Sequence, residues 1–250
     1  MSPWDLYDAL IAPIPADVTV TGGAVGLRWC RILTSEGGLG LAYTMPEQSR
    51  PPLLEAPTLQ GRRLRDVAAL AKSWNLAEAG IGMAAINAWY AEPARAKERG
   101  FAATADTWRQ VFDPYGEAVA GKTVSVIGHF PFAPAALSRA GELRILERSP
   151  QPGDFPDPAC EYLLPDSDYV FISSSALVNK TMPRLLALAR EATTIVLGPS
   201  TPLSPVLFEH GADVVTGLVG DRAEELFESL GGLHLNGMFA LGHRVVAGRP

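Results

Sequence analysis

The sequence predicts an α/β protein: a Rossmann-like, mostly parallel sheet with helices on both faces, preceded by a smaller α+β domain. Three observations carry this. Short apolar, β-branched runs recur through the second half, at Thr123–Ile127, Leu143–Leu146, Tyr169–Ile172 and Thr194–Leu197, with a shorter fifth at Val214-Val215. Helical stretches separate them, and strands that alternate with helices indicate a parallel sheet covered on both sides. The first half has a different grammar, an antiparallel-looking run followed by two segments with helical spacing.

In chain order, Met1–Asp8 is acidic and has neither a basic n-region nor a small-residue cleavage site. From Asp17 to about Pro46 the pattern is strand-like and predicts a meander. Val18-Thr19-Val20 leads to a turn at Gly22-Gly23, Val25–Leu33 is β-branched and aromatic, and Glu36-Gly37-Gly38 turns the chain into Leu39–Thr44. After the break Arg50-Pro51-Pro52, apolar residues at 64, 67, 68, 70 and 71 predict a helix over Arg63–Ala71. A second helix is predicted from Leu76 to Tyr90, ended by Pro93 and Gly100. The first domain is expected over residues 1–105 and the second over 106–250, joined by a short helix at Trp108–Phe112. Further helices are predicted at Ala133–Ala140, Pro183–Glu191, Pro205–Gly211 and Ala223–Leu230, with right-handed crossovers. Gln151–Pro158, with three prolines, reads as an ordered surface loop.

Composition excludes several classes. With 21 Lys+Arg against 27 Asp+Glu and a formal charge of −6, there is no basic excess to neutralise a phosphate backbone, so no nucleic-acid partner is expected. The apolar runs are far shorter than a bilayer needs, so no membrane partner is expected either. Cys30 and Cys160 form no CxxC, which argues against a disulfide scaffold or a thiolate zinc site and fits a reducing, cytoplasmic setting. A small-molecule ligand is the expected partner, and an isologous homodimer is expected on base rates alone.

In open α/β sheets ligands bind beyond the carboxyl ends of the strands, and here those exits are marked. They carry Gly128-His129-Phe130-Pro131-Phe132, then Glu147, then Ser173-Ser174-Ser175 with Asn179-Lys180-Thr181, then Gly198-Pro199-Ser200-Thr201-Pro202, and last Thr216-Gly217. Glu147 is an acid at the end of the second strand, where nucleotide folds grip ribose hydroxyls; the plainer reading is an exposed strand-end acid. The first loop has one glycine followed by bulky residues, so it has no room for a pyrophosphate. That combination favours an adenosyl ligand such as S-adenosylmethionine. His129 reads as a general base, a metal ligand, or a histidine bonded inside its loop. No HxH or HxxxH occurs; His210 reads as a charge at a helix C-terminus, and His234 and His243 receive no role. The triple serine lacks a nucleophile elbow, so its hydroxyls are read as ligand contacts or helix caps. Asn87 lies in an apolar helix, where it either bonds the other domain's backbone or projects into an interdomain cleft. Pro131, Pro134, Pro150, Pro199, Pro202 and Pro205 crowd the same exits and are expected to stiffen them.

Four runs also resemble signatures of the heavy-metal chelation family. They are Gly82–Ala88, Val126–Phe132, Ser175–Thr181 and Gly198–Leu203, and the likeness extends from about Asp17 to Gly231. The resemblance implies an enolase-N-terminal-like domain followed by a Rossmann-like domain, with the site in the cleft between them. It also implies Thr-Gly-Thr where this chain has Ser173-Ser174-Ser175.

Three functions follow as expectations. The first is an enzyme that binds S-adenosylmethionine or a related adenosyl compound and catalyses group transfer or intramolecular displacement. Glu147 would hold ribose, Gly128, Phe130, Pro131 and Phe132 the amino-acid end, with Ser173, Ser174, Gly198, Ser200 and Thr201 completing the cofactor site. His129, Ser175 and Asn179 are the catalytic candidates, and Asn87, Lys180 and Thr216 the substrate candidates. The second is a metal-handling protein for a divalent cation, with His129 its leading ligand. The third is a non-catalytic module that binds a small effector.

Overall fold

The computed structural model describes residues 2–45, 50–52, 58–231 and 237–250. The predicted end of the meander at Pro46 and the tail residue His234 lie outside them. Strands β1 (Val20–Val25), β2 (Trp29–Thr34) and β3 (Leu39–Tyr43) form an antiparallel sheet in that order. The first turn is not at Gly22-Gly23. It closes at Gly26, whose N–H donates to the carbonyl of Trp29 at 2.9 Å, while Gly22 and Gly23 lie inside β1 beside a register shift. Their reason is close approach: a Cβ on Gly23 would sit 2.9 Å from Leu59, and one on Gly22 would sit 3.3 Å from the Phe227 ring.

The helix Leu76–Tyr90 matches its prediction. Asn75 caps it, its side-chain oxygen accepting from Ala77 and Glu78 at 3.1 and 3.2 Å. Almost every one of its residues is buried, so it is apolar all round and serves as a central post. Gly40 of β3 faces its backbone directly. Pro93 does not end this helix but starts another, Pro93–Glu98, with Glu92 as its cap, because proline fits the first helical turn. The stretch at 63–71 becomes α-helix over Leu64–Ala68 and 3-10 helix over Ala69–Lys72. A further helix, Asp5–Ile11, precedes the meander.

The large sheet contains β4 (Ala102–Ala103), β5 (Thr123–Ile127), β6 (Glu142–Glu147), β7 (Phe155–Pro156), β8 (Tyr169–Ser173), β9 (Thr193–Leu197), β10 (Val214–Gly220) and β11 (Gly242–Gly248). Its order is β4-β11-β10-β9-β8-β5-β6-β7, with β6, β5, β8, β9 and β10 mutually parallel. The chain steps from β5 outward to β6, then returns to β8 on the other side, so the order reverses between β5 and β8. β10 spans seven residues rather than two, since Thr216 and Gly217 interrupt its apolar run without interrupting pairing. β11 adds an antiparallel edge, and β4 pairs with it across the boundary placed near residue 105. The linking segment at 108–115 forms two 3-10 turns. Helices of this half are short, at Ala133–Ala136, Met182–Leu188, Val206–Glu209 and Ala223–Ser229.

Apolar packing runs without interruption from the small sheet's helices into the large sheet. Tyr7 donates its hydroxyl to the Leu177 carbonyl at 2.7 Å. Asn87 donates from its amide nitrogen to the carbonyls of Leu41 (2.6 Å) and Ser200 (2.8 Å), and the Tyr43 N–H reaches Ser200 Oγ at 2.8 Å. Among the described residues no helix is long and apolar enough to cross a membrane.

Candidate functional site

The strand order places a crevice at its point of reversal, where the connections leaving β5 and β8 run to opposite sides, and a cleft of about 590 Å³ opens there. Its floor comes from three strand exits: Gly128–Phe130 after β5, Ser173–Ala176 after β8, and Gly198–Ser200 after β9. Gly128 has φ 108°, and a Cβ on it would meet Phe130 and Ser173 at 3.1 and 3.2 Å. Glycine therefore lets the first loop lie against the third exit. The opposite wall is built by the small sheet, through Arg28, Trp29, Tyr43 and Met45. Trp108 and Phe239 close one end as nearly parallel rings, 6.3 Å between centroids.

Charge in the cleft is organised by hydrogen bonds. Glu147 at the end of β6 accepts three backbone N–H groups: His129 on Oε2 at 3.0 Å, and Arg148 and Ser149 on Oε1 at 2.6 and 3.3 Å. It thus pins the first two exits together. His129 Nδ1 pairs with Asp154 Oδ2 at 2.8 Å, and that carboxylate also accepts the Gln151 N–H at 3.0 Å. The Asp154 side chain is 3 % exposed and the His129 side chain 27 %. A buried carboxylate on Nδ1 fixes the ring and leaves Nε2 as the nitrogen available to a ligand. Asp157 is held by Arg184 Nη2 at 2.8 and 2.9 Å. Ser173 and Ser175 share a hydrogen bond of 2.9 Å. Asn179 Oδ1 accepts both the N–H and the hydroxyl of Thr181, and its amide nitrogen has no partner among the described residues.

Of the sequence-stated candidates, Gly128, His129, Phe130, Glu147, Ser173, Ser174, Ser175, Asn179, Gly198 and Ser200 converge on this cleft. Six do not line it. Asn87 spends its amide on the two carbonyls named above and is buried between the halves. Pro131 points away as an exposed loop residue, and Phe132 packs against Phe112 and Phe130. Thr201 bonds the Gly198 carbonyl, and Thr216 bonds the Val245 carbonyl, each buried. Lys180 turns aside: it adopts φ 67°, donates to the Val178 carbonyl at 2.8 Å and lies over the Trp74 ring.

Burial lowers the Lys180 ammonium to about 8. Its folded value lies below its unfolded one, so between about pH 8 and the ordinary lysine range the unfolded chain binds more protons. The Lys180 contribution to stability should therefore rise with pH across that window. The urea midpoint of the wild type relative to that of Lys180→Met should accordingly increase from pH 7.5 to pH 10; the same pH dependence in both would contradict it.

Sequence reading missed Asp154, Arg28, Trp29, Tyr43, Met45, Trp108, Asp157, Met238 and Phe239 at or beside the cleft, and it placed Arg148, Ser149 and Thr181 at strand exits without giving them a role. The small-sheet residues carry no spacing signal, because only folding brings that sheet over the strand exits. Asp154 had one: an acid inside a proline-rich loop next to the strand that ends in Glu147.

The donors present do not fit a bare heavy-metal ion. Among the described residues no three of His, Cys, Asp and Glu gather at one point. Cys30 and Cys160 are free but buried, and desolvation raises both thiols, Cys160 to about 11, so neither offers a thiolate at neutral pH. Iodoacetamide at pH 7.5 should leave both unlabelled in the folded protein and label both in urea; rapid labelling of the native chain would contradict their burial.

Comparison with known proteins places this architecture among relatives. Two family models, both described as "Putative heavy-metal chelation", match residues 110–240 and 7–90. An uncharacterized protein of Methanocaldococcus jannaschii is 28% identical over 212 residues, covering 80% of this chain and 78% of its own. A crystal structure of a Desulfitobacterium hafniense protein with unknown function is 40% identical, covers 98% of each chain and superposes with a TM-score of 0.89. A Pyrococcus horikoshii protein with unknown function shares the fold at 22% identity and a TM-score of 0.80, covering 99% of this chain and 100% of its own.

Proposed function

This chain belongs to the heavy-metal chelation family, and on that premise we propose that it handles metal as the complex of a small organic chelator held in the cleft. The observation that carries the reading is a cleft of about 590 Å³ without a three-donor set among the described residues. That volume suits a small organic molecule. The cleft offers hydroxyls at Ser173 and Ser175, the amide nitrogen of Asn179, which has no partner among the described residues, and aromatic faces. His129 contributes one donor, Nε2, oriented through Asp154, so the remaining donors come from the bound molecule.

Calorimetry with nickel(II) chloride and with the nickel(II)–citrate complex tests this. The complex should bind saturably and the bare ion should not, and His129→Ala should weaken the complex at least tenfold. Tight binding of bare nickel that His129→Ala leaves unchanged would overturn the proposal.

One observation favours a second reading, an adenosyl ligand as for an S-adenosylmethionine-dependent enzyme. Glu147 ends the second parallel strand beside the reversal point, and a carboxylate that accepts three N–H groups keeps lone-pair capacity for a hydroxyl. Under this reading S-adenosylmethionine gives heat in the calorimeter, and Glu147→Ala costs about 1–3 kcal/mol of binding. An absence of heat removes it. Saturable binding of any such ligand without turnover would support the effector-binding alternative.

A further inference from the structure

We infer that the molecule held in the cleft is a polycarboxylate whose negative groups are taken at two separate points, by Arg28 on the small sheet and by Arg148 on the large one. This rests on the chelate reading above and adds the chemical class of the ligand.

The argument is a charge inventory of the cleft. Among the described residues each carboxylate in or beside it is already engaged: Glu147 by three backbone N–H groups, Asp154 by His129 and the Gln151 N–H, and Asp157 by Arg184. Among the described residues neither Arg28 nor Arg148 pairs with a carboxylate, and both line the cleft. The Arg148 guanidinium reaches across the cleft, and its contact there is Met45 Sδ at 3.7 Å, an uncharged thioether. Arg28 sits in the turn between β1 and β2, and the N–H of Thr44 holds its backbone carbonyl at 2.8 Å, which anchors that turn over the cleft. The protein as a whole carries formal charge −6, and other guanidiniums such as Arg144 and Arg244 hold acids at 2.7 and 2.9 Å. Arg28 and Arg148 differ from these two in facing the cleft with no such partner among the described residues.

A guanidinium fork matches a carboxylate with two parallel hydrogen bonds. Two forks on opposite walls select a molecule with two or more carboxylates over one with a single anionic group. The same carboxylates are hard oxygen donors for a divalent cation, which connects charge selection to chelation.

The test compares metal-free citrate, nickel(II)–citrate, the cationic nickel(II)–bipyridine complex and inorganic phosphate by calorimetry with the full chain, at low and moderate salt. Citrate and its nickel complex should bind, more weakly as salt rises, while the bipyridine complex should not. Arg28→Gln and Arg148→Gln should each weaken citrate binding at least tenfold, with Arg28→Lys and Arg148→Lys recovering only part. Both side chains are solvent-facing, so unfolding midpoints should match the wild type, and that measurement separates lost contact from lost fold. Wild-type citrate affinity in both glutamine variants, or equal binding of the anionic and cationic complexes, overturns the inference while the chelate reading stands. Metal-free citrate that binds through both arginines while its nickel complex does not keeps the inference and removes the chelate reading. No binding of either form removes both. Phosphate that displaces citrate completely and depends on one arginine alone replaces the two-point clamp by a single-anion site.

Discussion

Gly40→Ala should destabilise the protein by about 3 kcal/mol, the upper end for forcing extra atoms into a packed interior. A Cβ at this position would lie 1.9 Å from the Ala84 carbonyl oxygen and 2.1 Å from the Ala88 nitrogen. Both are backbone atoms of the helix Leu76–Tyr90, so no side-chain rotation relieves the clash, and the helix must lift away from β3. Lifting it also draws Asn87 from the Leu41 carbonyl on that strand. Gly37→Ala is the fitting control. Gly37 has φ 78° with nothing near its missing Cβ, so it should cost only the left-handed penalty of about 1–2 kcal/mol. Urea denaturation reads both; a wild-type midpoint for Gly40→Ala would mean the strand and helix are not seated this closely.

Asn87→Ala should cost about 2–4 kcal/mol, because two buried carbonyls, one on each half, lose their donor together. Asn87→Asp separates hydrogen bonding from shape. It keeps the volume but turns a two-proton donor toward carbonyl oxygens into an acid, which can donate there only when protonated. The introduced carboxyl therefore has a raised value in the folded state. Stability contributed by its protonated form is present below the ordinary carboxylate range and is lost as pH rises. The Asn87→Asp deficit should accordingly grow between pH 5 and pH 8, while that of Asn87→Ala stays level. A flat profile in both would show that the donor role is not what matters.

The parallel strands were legible because most are short apolar runs rich in β-branched residues, the signature of a strand covered on both faces, although β6 carries Arg144 and β10 runs well past its two valines. The helix Leu76–Tyr90 was legible as a long apolar stretch, although Pro93, read as its stop, opens the next helix. The meander's first turn was not. Gly22-Gly23 looks the same in sequence whether glycine serves a turn or makes room for Leu59 and Phe227, which are far along the chain. β11 escaped notice because an antiparallel edge strand of mixed residues such as His243, Arg244 and Val245 carries neither a long apolar run nor clean alternation. At the site, the strand exits announced themselves through Gly128, Glu147 and the three serines. Their opposite wall did not, since Arg28 and Tyr43 acquire meaning only once a second sheet is laid over those exits. Asp154 was hidden by its surroundings, a loop whose prolines drew attention to stiffness rather than to its acid.

The bonds from Asn87 and Tyr43 to Ser200 lie at the base of the cleft and tie both walls to one another. A mouth secured at its hinge does not work by large closure. Ligand capture should then follow a single kinetic phase whose observed rate climbs linearly with concentration, without the plateau that a slow rearrangement imposes. Discrimination among candidate molecules would reside in dissociation rates, set by how well each one fills a receptacle that is shaped before it arrives.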